Sequence, residues 1–429
     1  MTRTLRPVAV VGGMRIPFAR SGTAYAQLGN SDMLSAAMKA LVEKYALRRE
    51  RIGEVAAGAV IKHSRDWNLA REATLACGLD PHTPAYDVQR ACGTSLTATV
   101  QLAHRIAAGE IESAIAGGAD TVSDVPVAHS RGMQKILLAS GRGRTLGERL
   151  GPWLKFRPGM LKPSVPGVTE LRTGLSMGEH CEIMAKEWKI GRREQDELAA
   201  ASHRKAAAAW KAGFYRDIVA PFGGLTADNN VRPDSTVEKL ATLRPVFDRS
   251  STGTLTAGNS TPLTDGASCV LLASDEWARA RGLPVQAYIT RSAVAAVDYA
   301  GLAGPAEGLL MAPTYAVPEM LDRAGIALQD FDIYEIHEAF AAQVLCTLKA
   351  WESEDYCRDK LKRKAPLGSI DRAKLNPKGS SVALGHPFAA TGTRIIATLA
   401  KELEERGKGR GLISICTAGG MGVTAILER

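Results

Sequence analysis

Four stretches of this 429-residue chain place reactive side chains beside strand ends and turns. In Asp87-Val-Gln-Arg-Ala-Cys-Gly-Thr-Ser95 a strand ends, the chain turns and a helix begins, so Cys92 falls at or near a helix N-terminus. Free N–H groups and the positive end of the helix dipole favour a thiolate there and are expected to lower its pKa. Gly93 beside it lets a substrate come close. A small buried cysteine in a turn is the plainer role. In Ala383-Leu-Gly-His-Pro-Phe388, His386 is held in a turn, where an imidazole can act as general base to a cysteine. A turn histidine bonded to backbone is the alternative. In Ile415-Cys-Thr-Ala-Gly-Gly-Met-Gly422, Cys416 ends a buried strand, and the glycines open backbone N–H groups into a nest suited to an oxyanion; they could also simply turn the chain. In Tyr334-Glu-Ile-His-Glu-Ala-Phe-Ala341, His337 could donate to an oxyanion and Glu338 could orient its neighbours, with helix capping as the structural alternative.

The elements that must carry these residues read as an α/β chain. Strand-like runs at Val8–Val11, Val55–Ile61, Ala85–Val88 and Ser113–Ala116 alternate with helical spacing over Ser31–Tyr45 and Leu96–Ala108. Such a rhythm predicts a layered α/β unit. After Ser123 the composition changes. Residues 124–175 are rich in Pro, Gly, Arg and Lys with little periodicity, too long for an ordinary loop and read as a functional insertion. Helical patterns return at Gly178–Trp188 and Arg192–Ala212. Strand-like spacing over Thr252–Ala273 is expected to rejoin the first unit. A second α/β unit follows, with helical Val317–Ala324, strand Ile333–Ile336, helix Ala339–Trp351, helix Ala390–Arg406 and strand Gly411–Ile415. Both units end in similar Gly-Gly runs, which suggests a duplicated fold. The expected division is residues 1–123 with 252–274 as an N-terminal half, 124–251 as an inserted loop domain, and 275–429 as a C-terminal half.

Apolar residues at 45% allow a large core, and no run approaches the roughly 18 apolar residues of a membrane span. The basic start Met1-Thr-Arg-Thr and the short run after it do not make a signal peptide, so a cytoplasmic location is expected. The seven cysteines are scattered, with no C-x-x-C pair, and no His/Cys spacing suggests a metal. The net charge is +9; between Arg131 and Lys162 eight Lys/Arg face one acid, Glu148. Such an excess attracts anions: nucleic acid, anionic lipid or a phosphorylated cofactor. Aromatics at 5% with no stacking platform argue against nucleic acid.

Taken together, the motifs resemble the thiolase family over nearly the whole chain. The family's nucleophile motif matches Arg90 to Gly93, its motif before Glu-Ala-Phe-Ala matches His337, its Gly-His-Pro motif matches Gly385 to Pro387, and its terminal Cys-x-x-Gly-Gly-x-Gly matches Cys416 to Gly422. A fifth stretch, Thr256 to Gly266, is similar to the family's pantetheine-tunnel segment and brings in Ser260 and Thr261. Histidine at 337, Phe388 and the inserted Glu352–Lys374 segment resemble the β-subunit class of the fatty-acid oxidation trifunctional complex. Two positions depart from common patterns: Ser176, where some members have histidine, and Ala418, where many have glycine.

The resemblance implies a thiolase-like α-β-α-β-α fold in two similar halves with an inserted loop domain. It implies a 3-ketoacyl-CoA thiolase of fatty acid β-oxidation, an acetyl-CoA C-acyltransferase. Cys92 would be acylated, His386 would take its proton and Cys416 would protonate the leaving enolate. His386 and a His337-held water would stabilise the enolate, and the N–H groups of Cys92 and Ala418 the tetrahedral oxyanion. Coenzyme A enters as substrate, with no prosthetic group and no metal, and Arg142 and Arg144 are candidates for its phosphates. A homodimer or higher homo-oligomer is implied, with an α-subunit carrying hydratase and dehydrogenase activities as a further partner. Separately, amphipathic pieces of the basic stretch 131–162 make peripheral membrane contact an expectation. The competing readings are a biosynthetic acetoacetyl-CoA thiolase and a non-catalytic acyl-CoA-binding or assembly subunit.

Overall fold

The computed structural model describes residues 5–429; the basic start at Met1–Thr4 lies outside them. The strands are β1 (Val8–Arg15), β2 (Ala19–Arg20), β3 (Glu54–Ala57), β4 (Ala85–Asp87), β5 (Ser113–Asp120), β6 (Thr264–Ser274), β7 (Ala287–Ala296), β8 (Ile333–Ile336), β9 (Arg410–Thr417) and β10 (Met421–Glu428). They form one sheet in the order β4-β3-β5-β6-β1-β7-β10-β9-β8, with β2 paired to β6. The seam between β1 and β7 is short, Ala9 opposite Tyr288 and Val10 opposite Ala287.

The two sides of that seam repeat one another. In β3-β5-β6-β1 the first pair is parallel and the next two are antiparallel. In β8-β9-β10-β7 the first pair is again parallel and the next two antiparallel. Each set uses its second, third, fourth and first strands in that spatial order. The similar Gly-Gly endings seen in the sequence lie at corresponding places, on β5 and just after β9.

Two helices, Thr94–Ala107 and Thr391–Arg406, sit between the sheet halves. Their Leu96, Leu102, Ile106, Ile395, Leu399 and Leu403 pack with Val10, Ala116 and Val270 of one half and Ile413, Val423 and Leu427 of the other. Helices Asn30–Lys44 and Leu69–Ala76 cover the outer face of the first half, and Pro313–Ala324 and Ala341–Glu352 that of the second. The result is one α-β-α-β-α stack shared by both halves. Its two central helices touch so closely that a Cβ on Gly392 would lie 2.3 Å from the Leu96 nitrogen.

Residues between β5 and β6 leave the sheet and supply helices and turns. Where the sequence shows little periodicity there is a helix, Arg131–Arg142, capped by Ser130, whose Oγ accepts from the Met133 N–H. Two internal glycines had hidden its pattern. Strand-like spacing from Thr252 yields a strand only from Thr264. Before it, Thr256 N–H donates to Asn259 Oδ1, a local bond that competes with a ladder. Strand β7 lies outside the expected strands, because its half-exposed residues carry a weak apolar signal. The helix expected from Ala339 begins at Ala341, because Ala339 C=O accepts from Thr261 N–H and Phe340 bridges Ser260 in extended form. No helix among the described residues is long and apolar enough to cross a membrane.

Candidate active site

Cys92 rides a tight turn. Ala91 holds a left-handed φ of 41°, a strained value for a residue with a Cβ. Thr94 secures it: its Oγ1 accepts from Arg90 N–H at 2.9 Å and donates to Ala91 C=O at 2.7 Å. Gly93 is required, because a Cβ there would meet Val423 Cγ1 at 2.6 Å and Thr417 Cγ2 at 3.0 Å. The turn thus presses the start of the Thr94–Ala107 helix onto the end of the second half-sheet.

His386 reaches the same point from the turn that leads into the other central helix. Gly385 has φ of 107°, and its neighbours Thr264 and Asn230 leave no room for a side chain. His386 N–H donates to Thr264 Oγ1 at 3.2 Å, and Ala389 N–H donates to Asp120 at the end of β5. His386 Nε2 lies 3.1 Å from Cys92 Sγ, and its Nδ1 2.5 Å from Thr391 Oγ1. A thiol donating to Nε2 leaves the ring proton on Nδ1, bound to Thr391.

The electrostatics differ from the expectation of a helix-lowered thiol. Burial pushes the Cys92 thiol up to about 12, against the pull of the Ala418 N–H. Burial, and next the Arg394 charge, lower His386 to about 3. The resting pair is therefore a neutral thiol and a neutral imidazole. Desolvation wins because the helix end acts through a few partial charges, while the whole surround disfavours a full one.

Cys416 is buried at the end of β9, its pKa raised by burial and by the neighbouring Cys92. Ala418 directs its backbone N–H at Cys92 Sγ, so alanine here keeps the donor. The next N–H, Gly419, donates to Glu170 Oε1 at 2.6 Å, and Tyr299 Oη donates to Glu170 Oε2 at 2.9 Å. The inserted segment thus grips the glycine turn.

His337 lies against His386 with ring centroids 4.2 Å apart. Burial, then the neighbouring His386 and Arg394, hold its pKa well below the usual range. Glu338 accepts from Ser202 Oγ and from Asn376 Nδ2, both at 2.7 Å, and Asn376 also holds Ile336 N–H and C=O. Glu338 therefore orients its neighbours. Cys92 Sγ and one nitrogen each of His337 and His386 lie within 4.8 Å of one another.

Ser260 and Thr261 border a cavity of 760 Å³ with Arg20, His203, Arg232 and Phe247 among its walls. Ser260 Oγ is buried without a partner. Arg142 and Arg144 do not line this cavity; they sit at the end of helix Arg131–Arg142 and just beyond it. Ser176 caps the helix Met177–Glu187, with Glu179 reaching back to its N–H. Sequence reasoning missed Arg20, Arg232, Glu170, Ser381, Thr391 and Arg394. Arg20, Glu170 and Arg232 lie far apart in the chain and look ordinary there; Ser381, Thr391 and Arg394 flank the Gly-His-Pro turn, which offered the nearest signal.

A family model described as the thiolase N-terminal domain matches residues 8–276, and one described as the thiolase C-terminal domain matches residues 290–429. The chain is 44% identical to a 3-ketoacyl-CoA thiolase of Pectobacterium atrosepticum, over all of this chain and 98% of that one. It is 42% identical to a 3-ketoacyl-CoA thiolase of Yersinia enterocolitica at the same coverage. Among solved structures, the Bacillus anthracis acetyl-CoA acetyltransferase superposes with a TM-score of 0.81 at 29% identity, covering 100% of both chains. Human mitochondrial 3-ketoacyl-CoA thiolase in complex with CoA gives 0.80 at 30% identity, covering 99% of this chain and 98% of that one.

Proposed function

The chain belongs to the thiolase family, and from that premise we propose how it works as a 3-ketoacyl-CoA thiolase, an acyltransferase. The observation that carries the mechanism is the Cys92–His386 contact at 3.1 Å, beside Cys416 and the Ala418 N–H. Cys92 Sγ attacks the keto carbon of the substrate as its proton passes to His386 Nε2. The bond between the keto carbon and the α-carbon breaks. The electron pair leaves on the acetyl-CoA enolate, which takes a proton from Cys416. The thiol of coenzyme A then gives its proton to the Cys416 thiolate and its sulfur attacks the thioester carbon; the bond to Cys92 breaks, and the Cys92 thiolate takes its proton back from His386. A thiolate both attacks and leaves well, and a thioester is a good acyl donor. The N–H groups of Cys92 and Ala418 serve the tetrahedral oxyanion; His386 and His337 serve the enolate.

Coenzyme A is the co-substrate and extends through the cavity bordered by Ser260 and Thr261, its phosphates near Arg20 and Arg232. The other partners are a second copy of the chain and an α-subunit supplying the preceding hydratase and dehydrogenase steps, as in a trifunctional complex. Exposed Leu138, Leu146, Leu150, Leu154 and Leu161, interleaved with the basic residues of 131–162, support a contact face there for that subunit or for a membrane surface. The location proposed is the cytoplasm.

The test is cleavage of a substrate series from acetoacetyl-CoA to long-chain 3-ketoacyl-CoA in the presence of CoA, with Cys92→Ala alongside. Cleavage that vanishes in the variant supports the mechanism. Activity confined to acetoacetyl-CoA would point to the biosynthetic role, the reading that the acetyl-CoA acetyltransferase likeness favours. No cleavage by folded, reduced protein would leave an acyl-CoA-binding subunit.

A further inference from the structure

The two stacked histidines are tied by different groups. His386 places Nδ1 on Thr391 and Nε2 on the Cys92 thiol. His337 places Nδ1 2.8 Å from Ser381 Oγ, while its Nε2 is buried with no hydrogen-bond partner. Ser381 Oγ also lies 2.7 Å from Arg394 Nη2. Arg394 is 1% exposed, with Glu335 3.8 Å away and Ser380 Oγ 3.4 Å away.

The protons can be placed from this set. A guanidinium carries donors alone, so Ser381 Oγ must accept from Arg394. The hydroxyl hydrogen of Ser381 then needs an acceptor in a place closed to water, and His337 Nδ1 is within reach. Were Nδ1 protonated, Ser381 would accept from both sides and its own O–H would be buried unpaired, at the full desolvation cost of a donor. The guanidinium charge also polarises the Ser381 O–H and makes it the better donor.

We propose that Arg394, acting through Ser381, is a positioning residue that locks His337 in the tautomer with its proton on Nε2. The stacked rings then hold opposite tautomers. His386 presents a bare Nε2, a base for Cys92. His337 presents an Nε2–H, a donor waiting for a developing negative oxygen or for a water that contacts it. A bare Nε2 on His337 would instead aim a lone pair at that charge. This arrangement gives the buried Arg394–Glu335 pair, remote from the thiol itself, a part in the chemistry. Burial and the adjoining Arg394 keep His337 neutral, which preserves the distinction between the two nitrogens. The tautomer stands on hydrogen bonding alone; its catalytic consequence rests on the enolate-stabilising role given to His337 above.

Nitrogen NMR of the full-length protein with 15N-labelled histidine tests this, His337 being assigned by its loss in His337→Asn. The parent protein should show a protonated Nε2 and a bare Nδ1. Ser381→Ala leaves Arg394 and Glu335 in place, and the His337 tautomers should mix or reverse. With that change kcat for 3-ketoacyl-CoA cleavage should fall about 10- to 100-fold, below the full loss of an oxyanion donor, while KM for CoA moves less than about twofold. Ser381→Thr, which returns the hydroxyl, should restore both tautomer and rate. A parent spectrum with the proton on Nδ1 overturns the proposal, and so does a Ser381→Ala protein whose tautomer is unchanged. The spectra come from resting protein, so they decide the relay even if no 3-ketoacyl-CoA is cleaved, an outcome that would strike the enolate role instead.

Discussion

At the scale of the residue, burial disfavours charge on both Cys92 and His386. Cys92 at about 12 and His386 at about 3 leave no thiolate–imidazolium pair at rest. The sign of the pH effect follows. His386 has a folded pKa below its ordinary 6.5, so it remains an unprotonated base as pH falls through 6.5. Acylation of Cys92 by a 3-ketoacyl-CoA, followed without CoA in a single turnover, should therefore be flat from about pH 5 to 7. A titration centred near 6.5 in that half-reaction would show that the imidazole is not held neutral. Iodoacetamide should modify Cys92 slowly at neutral pH and faster as pH rises, because the thiolate is the nucleophile. Cys92→Ala and His386→Ala should each lower kcat by ~10⁴-fold or more, and the double variant little further, since the two act as a unit.

At the scale of the element, the starts of two central helices bring Cys92 and His386 together. Helices Thr94–Ala107 and Thr391–Arg406 approach until Gly392 has no room for a Cβ beside Leu96. Gly392→Ala should push them apart, destabilise the fold by about 1–3 kcal/mol as an overpacking change, and lower kcat by lengthening the 3.1 Å contact between Cys92 and His386. Thermal unfolding and single-turnover acylation measure the two effects separately; a rate unchanged in a destabilised protein would mean that the helix contact does not set that distance. The glycine turn after β9 has its own brace, Glu170 on Gly419 N–H. Glu170→Gln replaces a charged acceptor with a neutral one and should weaken that hold by about 1–2 kcal/mol. The readout is kcat, with KM for CoA as the control.

At the scale of the whole molecule, the arginines singled out lie in two separate regions. The cavity beside Ser260 holds Arg20 and Arg232, while Arg142 and Arg144 stand on the inserted segment outside it. Arg232→Gln should raise KM for CoA roughly 3- to 10-fold with kcat nearly unchanged, and the effect should shrink at high salt, as for any contact with phosphate charge. Neutralising Arg142 and Arg144 together should leave KM for CoA within about twofold. A rise in KM there instead would return the nucleotide end of CoA to the insertion, the place that charge counting alone suggested.

The residue types and their order along the chain mark Cys92, His337, His386 and Cys416 as candidates, because each sits in a short run punctuated by Gly, Pro or a strand end. Strand and helix alternation gave the α/β class, and the paired Gly-Gly endings gave the repeat. Those signals are local, carried by neighbours a few positions apart. Tertiary structure alone decided the protonation states, since desolvation sums over every group packed around the thiol and overrode the helix dipole that the local pattern displays. It alone decided which cations face the cavity, since Arg20 and Arg232 are distant in sequence and Arg142 and Arg144 advertise themselves only by density. It alone brought Ser381 and Arg394 beneath His337, because that contact depends on how a helix in one layer meets a strand end in the next, and no spacing along the chain encodes the distance between layers.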